Sequence, residues 1–258
     1  MKEPIKLIGN VASPYTRKMV AYLRYKRIPY EVIWGQPENV LEEMKIEPPK
    51  PILLPVFILD RDGQATAVTD STPLIREFEE KYPDRSVLPK DPALNFINYV
   101  LEDFGDEWCT KFMFHYRWYF DEDADNAGTI LPLGINSALT DDELAFFKEH
   151  FAKRQIDRLW VVGSNNDTAE FIDKSYKNVL SIFEEHFKKQ PFLLGSYPSS
   201  CDFAVYGQFT QLVGFDPTPR KIAHEISPRT VAYVNTLDDR GGLDYVEENN
   251  TLDSLSDS

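Results

Sequence analysis

Residues 7–20 read L-I-G-N-V-A-S-P-Y-T-R-K-M-V, a short apolar strand that turns through a tight loop into a helix opened by Ser-Pro. Few features constrain a fold more, because this one orders a strand and a helix and sets where the helix begins. Ser13 takes the N-cap and Pro14 the first helical position, the most favoured pairing at a helix start. The first-turn N–H groups lack intrahelical acceptors, and the helix dipole adds roughly half a positive charge at that end. An anion beside Ser13 is therefore well held, although a cap by itself requires no ligand.

Further along, residues 48–60 read P-P-K-P-I-L-L-P-V-F-I-L-D, followed by Asp62-Gly63, an apolar run over 65–69, and then D-S-T-P-L-I-R-E-F-E. Two apolar runs joined by Asp-Gly predict a hairpin over 56–60 and 65–69. Pro55 stands at the mouth of its first strand and cannot donate to a ladder, so an edge, a bulge or a cis bond is required. Asp70-Ser71-Thr72 with Pro73 behind it predicts a second helix start.

Strand, serine-led helix, strand, L-P-V, hairpin and D-S-T-P-L-I, in that order, resemble the N-terminal domain of the glutathione transferases over about residues 5–82, serine-type and bacterial-like. The resemblance continues more loosely beyond. It implies an α/β thioredoxin-like N-terminal domain followed by an all-α helical-bundle C-terminal domain. It also implies that Pro55 is cis beside Leu54, and that the backbone of Val56 pairs with the cysteinyl part of glutathione. Asp70-Ser71, where the commoner family pair is Glu-Ser, takes the γ-glutamyl end. Ser13 faces the glutathione sulfur. The loop over 36–51, where the family provides contacts to the glycyl carboxylate, is weakly defined here. A homodimer is the usual family state.

The 258-residue chain is long enough for two cored domains, and its 42% apolar and 13% aromatic content fits a globular protein. The expected organisation is a glutathione-binding domain over 1–83, a proline-rich linker over 84–92, a helical acceptor-binding domain over 93–237 and an acidic, loosely held tail over 238–258. Within the second half, residues 93–120 predict one long or kinked helix, residues 123–139 an irregular insert containing Gly128, Pro132 and Gly134, and residues 140–162 and 168–189 two more helices. Ser199 and Asp202 predict a capping box that opens a buried helix, and residues 228–236 a last short one.

No apolar run approaches the roughly 20 residues of a membrane span. A strand pattern begins directly after Met1, which argues against a secretion signal. Cys109 and Cys201 are far apart and the four histidines show no ligand spacing, which points to free thiols, a cytoplasmic location and no metal. The net charge of −14 argues against nucleic acid. The first helix runs the other way: Arg17, Lys18, Arg24, Lys26 and Arg27 form either a positive field beside Ser13 or a solvated face.

The tetrad Ser13-Pro14-Tyr15-Thr16 contains no sulfur, so disulfide exchange lacks a nucleophile. What remains is a scheme in which glutathione supplies the thiol and Ser13 donates to its sulfur. A free thiol titrates about 1.5 units above pH 7, and each unit of stabilisation is about 1.4 kcal/mol, within reach of one charge-assisted hydrogen bond plus the dipole. Arg17, one turn on, either adds positive potential or is an exposed helix cation; Tyr15 is a weaker competitor for the hydroxyl role. Trp108, Phe112, His115, Tyr116 and Tyr119 follow helical spacing and are the expected wall of an apolar acceptor pocket, with His115 and Arg117 as polar contacts. The expected function is detoxifying transfer of glutathione to an electrophilic apolar acceptor. Two alternatives stand beside it: a glutathione-dependent lyase, isomerase or β-etherase-like enzyme whose pocket is shaped by the insert over 121–139, and a non-catalytic binding protein.

Overall fold

The computed structural model describes residues 3–244. Its first part runs β1 (Ile5–Gly9), α1 (Pro14–Lys26), β2 (Tyr30–Trp34), α2 (Pro37–Met44), β3 (Val56–Arg61), β4 (Gln64–Val68) and α3 (Ser71–Lys81). The strand order is β2-β1-β3-β4, with β1 and β2 parallel and β3 antiparallel to both β1 and β4. Parallel neighbours need a crossover, and α1 provides it. The sheet is thioredoxin-like. Leu54–Pro55 is cis, and so is Lys50–Pro51.

Helix starts follow the local chemistry. The Ser13 hydroxyl accepts from the Thr16 N–H at 3.2 Å, with Pro14 at the first helical position. Asp70 holds φ at 78°, a conformation a short polar side chain tolerates, and caps α3 by accepting from the Thr72 N–H at 3.2 Å.

The second part is helical: α4 (Pro92–Asp103), a π-helical turn (Phe104–Trp108), α5 (Cys109–Tyr119), α6 (Asp121–Ile135), α7 (Asp141–Ile156), α8 (Ala169–His186), α9 (Ser200–Thr210), α10 (Pro217–Ile226) and α11 (Pro228–Leu237). The predicted kinked helix over 93–120 is α4, the π turn and α5 in succession. Helix α9 is the axis of the molecule, buried from Ser200 to Phe209 and packed against both α1 and α4. At its start the Asp202 carboxylate accepts from the Ser199 and Leu193 N–H groups and from the Tyr233 hydroxyl, at 2.8, 2.8 and 3.0 Å. Full burial pushes that carboxyl up to about 6 despite these bonds.

Three expectations are corrected. The irregular insert is a helix, α6, in spite of its two glycines and Pro132. It packs on α5 and α7 around Trp118, Ala124 and Ala127, and this burial overrides a weak helix propensity. Helix α10, between the last two predicted helices, went unpredicted; a proline at its first position is its main local signal. The tail is not loose where it begins. Asp238 pairs with Arg17 at 2.6 Å and Arg24 at 2.7 Å, Arg27 donates to the Gly241 carbonyl at 2.6 Å, and Arg85 to the Leu243 carbonyl at 2.7 Å. The rest of the predicted tail, 245–258, lies outside the described residues.

Candidate active site

Two cavities open on either side of Ser13. One, of about 570 Å³, is the more polar of the two and is lined by Ser13, Tyr15, Gln36 to Glu38, Ile52 to Leu54, Asp70 to Thr72, Asp106, Glu107, Arg154, Gln155 and Arg158. The other, of about 560 Å³, is mainly apolar and takes Met113, Phe114, Arg117 and Trp118 from α5, Leu131, Pro132 and Ile135 from α6, and Phe147 and Phe151 from α7. Ser13, Gln36, Leu54 and Gln155 line both. The seam between a polar and an apolar chamber therefore runs past the α1 N-terminus.

The Ser13 hydroxyl uses its oxygen to accept from Thr16, which leaves its own proton free to donate. The loop before it is rigidly held. The Asn10 side chain accepts from the Ala12 N–H at 2.9 Å, and the Asn10 carbonyl from the Ser13 N–H at 3.0 Å. From the other domain the buried Arg117 donates to the Ala12 carbonyl at 3.1 Å, to Gln211 at 2.8 Å and to both oxygens of Asp216. Burial pushes the Asp216 carboxyl up to about 6, with Arg117 pulling against it. Arg117 thus lines the apolar cavity as expected, but its donors are engaged in fixing the loop that presents Ser13.

Asp70 and Ser71 both face the polar cavity. Asp70 is exposed, whereas Ser71 is buried and accepts from Lys18 Nζ at 3.1 Å. Lys18 also donates to the Asp106 carboxylate at 2.6 Å and lies 3.6 Å from Glu102. Burial raises the Asp106 carboxyl, opposed by Lys18. Tyr15 donates to the Asp106 carbonyl at 2.7 Å, so its hydroxyl is committed away from the Ser13 position.

Several sequence-predicted site residues stand elsewhere. Val56 is fully buried in register with Ile8 and its side chain lines neither cavity; Leu54, before the proline, is the member of this segment that reaches both cavities. Arg17 lines neither cavity, because its guanidinium is drawn to Asp238 and the Tyr206 hydroxyl. The other cations of α1 and its C-cap Arg27 are likewise paired or bonded to a carbonyl, and of the five only Lys18 bonds residues of the cavity wall. The aromatic stripe faces the wrong way. Phe112 and Tyr116 pack on Tyr176 of α8, and Tyr116 donates to Asp173 at 2.7 Å. His115 is buried, bonds Ser164 through Nδ1 at 2.7 Å and stacks on Tyr119. Trp108, at the end of the π turn, is 56% exposed. The cavity wall is instead the adjacent face of α5, Met113, Phe114, Arg117 and Trp118. Both faces carry large apolar side chains, so spacing could not choose between them.

The residues missed from sequence are Asn10, Asp106 and the α7 group, whereas Gln36 opens the loop over 36–51 that was expected to contact the ligand. Asn10 had a usable signal, since an Asn directly after a strand commonly accepts from the backbone N–H two residues on, as it does here from Ala12. The others had none.

Residues 7–86 match the family described as "Glutathione S-transferase, N-terminal domain". No curated protein matches the sequence. Among solved structures, FzlA from C. crescentus aligns at 13% identity and TM-score 0.57 over 98% of this chain and 99% of its own. A glutathione transferase family member from Pseudomonas fluorescens, crystallised with two glutathione bound, aligns at 14% and 0.58 over 93% and 92%. The β-etherase LigF from Sphingobium aligns at 18% and 0.61 over 92% and 96%. Over residues 7–86 the chain is similar to the N-terminal domain of the glutathione S-transferases, and as a whole it has their two-part fold.

Proposed function

We propose that this chain is a glutathione transferase of the serine type. It binds glutathione in the polar cavity with the cysteinyl sulfur at Ser13, and it activates that sulfur against an apolar electrophile in the adjoining cavity. The observation that carries this reading is the seam itself, where a helix N-terminus with a free hydroxyl proton sits between a chamber suited to a zwitterionic peptide and one suited to an apolar acceptor. Ser13 then favours the thiolate by donating to it, aided by the α1 dipole. The thiolate sulfur forms a bond to the acceptor carbon as the leaving group departs, and no side-chain nucleophile is needed. Asp70 meets the γ-glutamyl ammonium, while Ser71 and the start of α3 meet its carboxylate. The glutathione bound in the Pseudomonas fluorescens relative supports the ligand assignment. The exposed face of α4 formed by Phe96, Tyr99 and Val100 supports a homodimer.

Calorimetry with glutathione tests the binding, and ultraviolet titration of the bound thiolate tests the chemistry. Ser13→Ala is expected to leave affinity within about threefold and to raise the pKa of bound glutathione by about one unit, the worth of one charge-assisted hydrogen bond. An unchanged titration would remove Ser13 from the reaction, and an absence of binding would favour a glutathione-independent role.

A further inference from the structure

The polar cavity is unbalanced in charge. Its carboxylates are Glu38, Asp70, Asp106 and Glu107, and among the described residues its only lining cations are Arg154 and Arg158. These stand four apart at the end of α7 and just beyond it. Neither guanidinium has a carboxylate partner among the described residues, and the nearest acid in sequence, Asp157, is taken by Lys153 at 3.2 Å. Both arginines are exposed, so they are free to meet a ligand.

Helix α7 is also unusual in how it is held. None of its residues is fully buried; it leans on α5 and α6 through Phe151 and Ala152 while Thr140 and Glu143 cap its start. It nevertheless spans both chambers, giving Phe147, Phe151 and Gln155 to the apolar one and Arg154 and Gln155 to the polar one.

Resting on the function proposed above, we infer that Arg154 and Arg158 bind the glycyl carboxylate of glutathione, so that the helical domain holds the end of the peptide that the first domain does not. At neutral pH the γ-glutamyl end carries one ammonium and one carboxylate, a pair matched by Asp70 and Ser71. The surplus negative charge of the tripeptide is on its glycine. The segment expected to receive it contributes Gln36, Pro37 and Glu38 to the wall, and Glu38 repels a carboxylate. Guanidinium groups pair with carboxylates in a planar, two-bond geometry, and the end of α7 with the turn after it brings two of them to the same chamber. Binding the peptide therefore ties α7 to the first domain across the mouth of both cavities.

The test compares glutathione with its monoethyl ester, in which only the glycyl carboxylate is blocked, by calorimetry on the full chain. The wild type is expected to bind glutathione about tenfold more tightly than the ester. The Arg154→Gln/Arg158→Gln variant is expected to lose about that factor for glutathione, to bind the ester as before, and so to show no preference. Asp70→Ala should weaken both ligands alike, because it acts at the other end. Circular dichroism of these surface variants checks that the fold is retained. A double variant that keeps the full preference, or a wild type that binds both ligands equally, overturns the assignment while leaving glutathione binding intact. A wild type that binds neither overturns it together with the proposed function.

Discussion

His115 shows what one misplaced side chain reveals. Helical spacing put it on a pocket wall, but it is buried behind that wall with Nδ1 on Ser164, and its Nε2 has no partner among the described residues. Burial outweighs the attraction of Asp173 and lowers its pKa from the usual 6.5 to about 4. The unfolded chain therefore takes up a proton near pH 6.5 that the folded chain refuses until about pH 4. Stability from this residue is fully present above pH 6.5 and is lost as the pH falls through that window. Asp202 and Asp216, both raised to about 6, act in the opposite sense, since the folded state protonates them first as the pH falls. The net curve mixes these contributions, so the measurement is a difference. Urea unfolding at pH 7 and pH 4 should show the wild type losing up to about 2 kcal/mol more than His115→Gln. Parallel pH profiles for the two proteins would contradict a neutral buried imidazole.

Helix α1 carries the site because α9 holds it from behind. At Gly207 a Cβ would stand 2.5 Å from the Pro14 carbonyl oxygen and 3.0 Å from Lys18 Cβ, so the two helices meet at van der Waals contact in the first turn of α1. Gly207→Ala gains about 1 kcal/mol in helix propensity, but the clash is with backbone that cannot rotate away. Overpacking of this kind costs about 1–3 kcal/mol, and here it should exceed the gain. The displaced element is the one that presents Ser13, so glutathione affinity should fall along with thermal stability. Calorimetry and thermal unfolding of the variant check this, and a variant that gains stability with unaltered binding would show that the contact is slack. The π-helical turn works in a related way. It rotates Asp106 into the wall of the polar cavity and leaves Trp108 outside, a change of register that no periodic reading of 93–120 anticipates.

The two halves of the molecule are joined by buried charge as well as by apolar packing. Lys18 of α1 reaches Ser71 on α3 and Asp106 on the π turn, and Arg117 of α5 reaches back to the loop before Ser13. Removing one partner of such a group strands the other, which costs about 3–5 kcal/mol, whereas removing both is much milder. Lys18→Met should therefore lower stability toward urea by about that amount, and Lys18→Met/Asp106→Asn should recover a large part of it. Additive losses in the two single variants and the double would show that the lysine and the carboxylate act independently.

The N-terminal architecture was legible because it is written locally. Caps, turn residues and prolines act over two to four positions, so the Ser13 and Asp70 helix starts, the hairpin and the flanks of Pro55 could be read directly. The Ser199–Asp202 box was legible for the same reason. Helix α6 was not, because its glycines and Pro132 obey the propensity rules only until α5 and α7 bury it. The apolar cavity could not be read from spacing either, since both faces of α5 carry large apolar side chains and only the approach of α8 on one side and α6 on the other assigns them. The partners of the cations were also beyond reach: Arg17 finds Asp238 across 221 positions and Lys18 finds Asp106 across 88. Sequence by itself determined which backbone ends would be presented and capped. Tertiary packing alone decided which charges would be neutralised, which aromatic face would be buried, and that Arg154 and Arg158, at the end of α7 and just beyond it, would stand at the polar chamber, because those outcomes depend on distances between segments that are far apart along the chain.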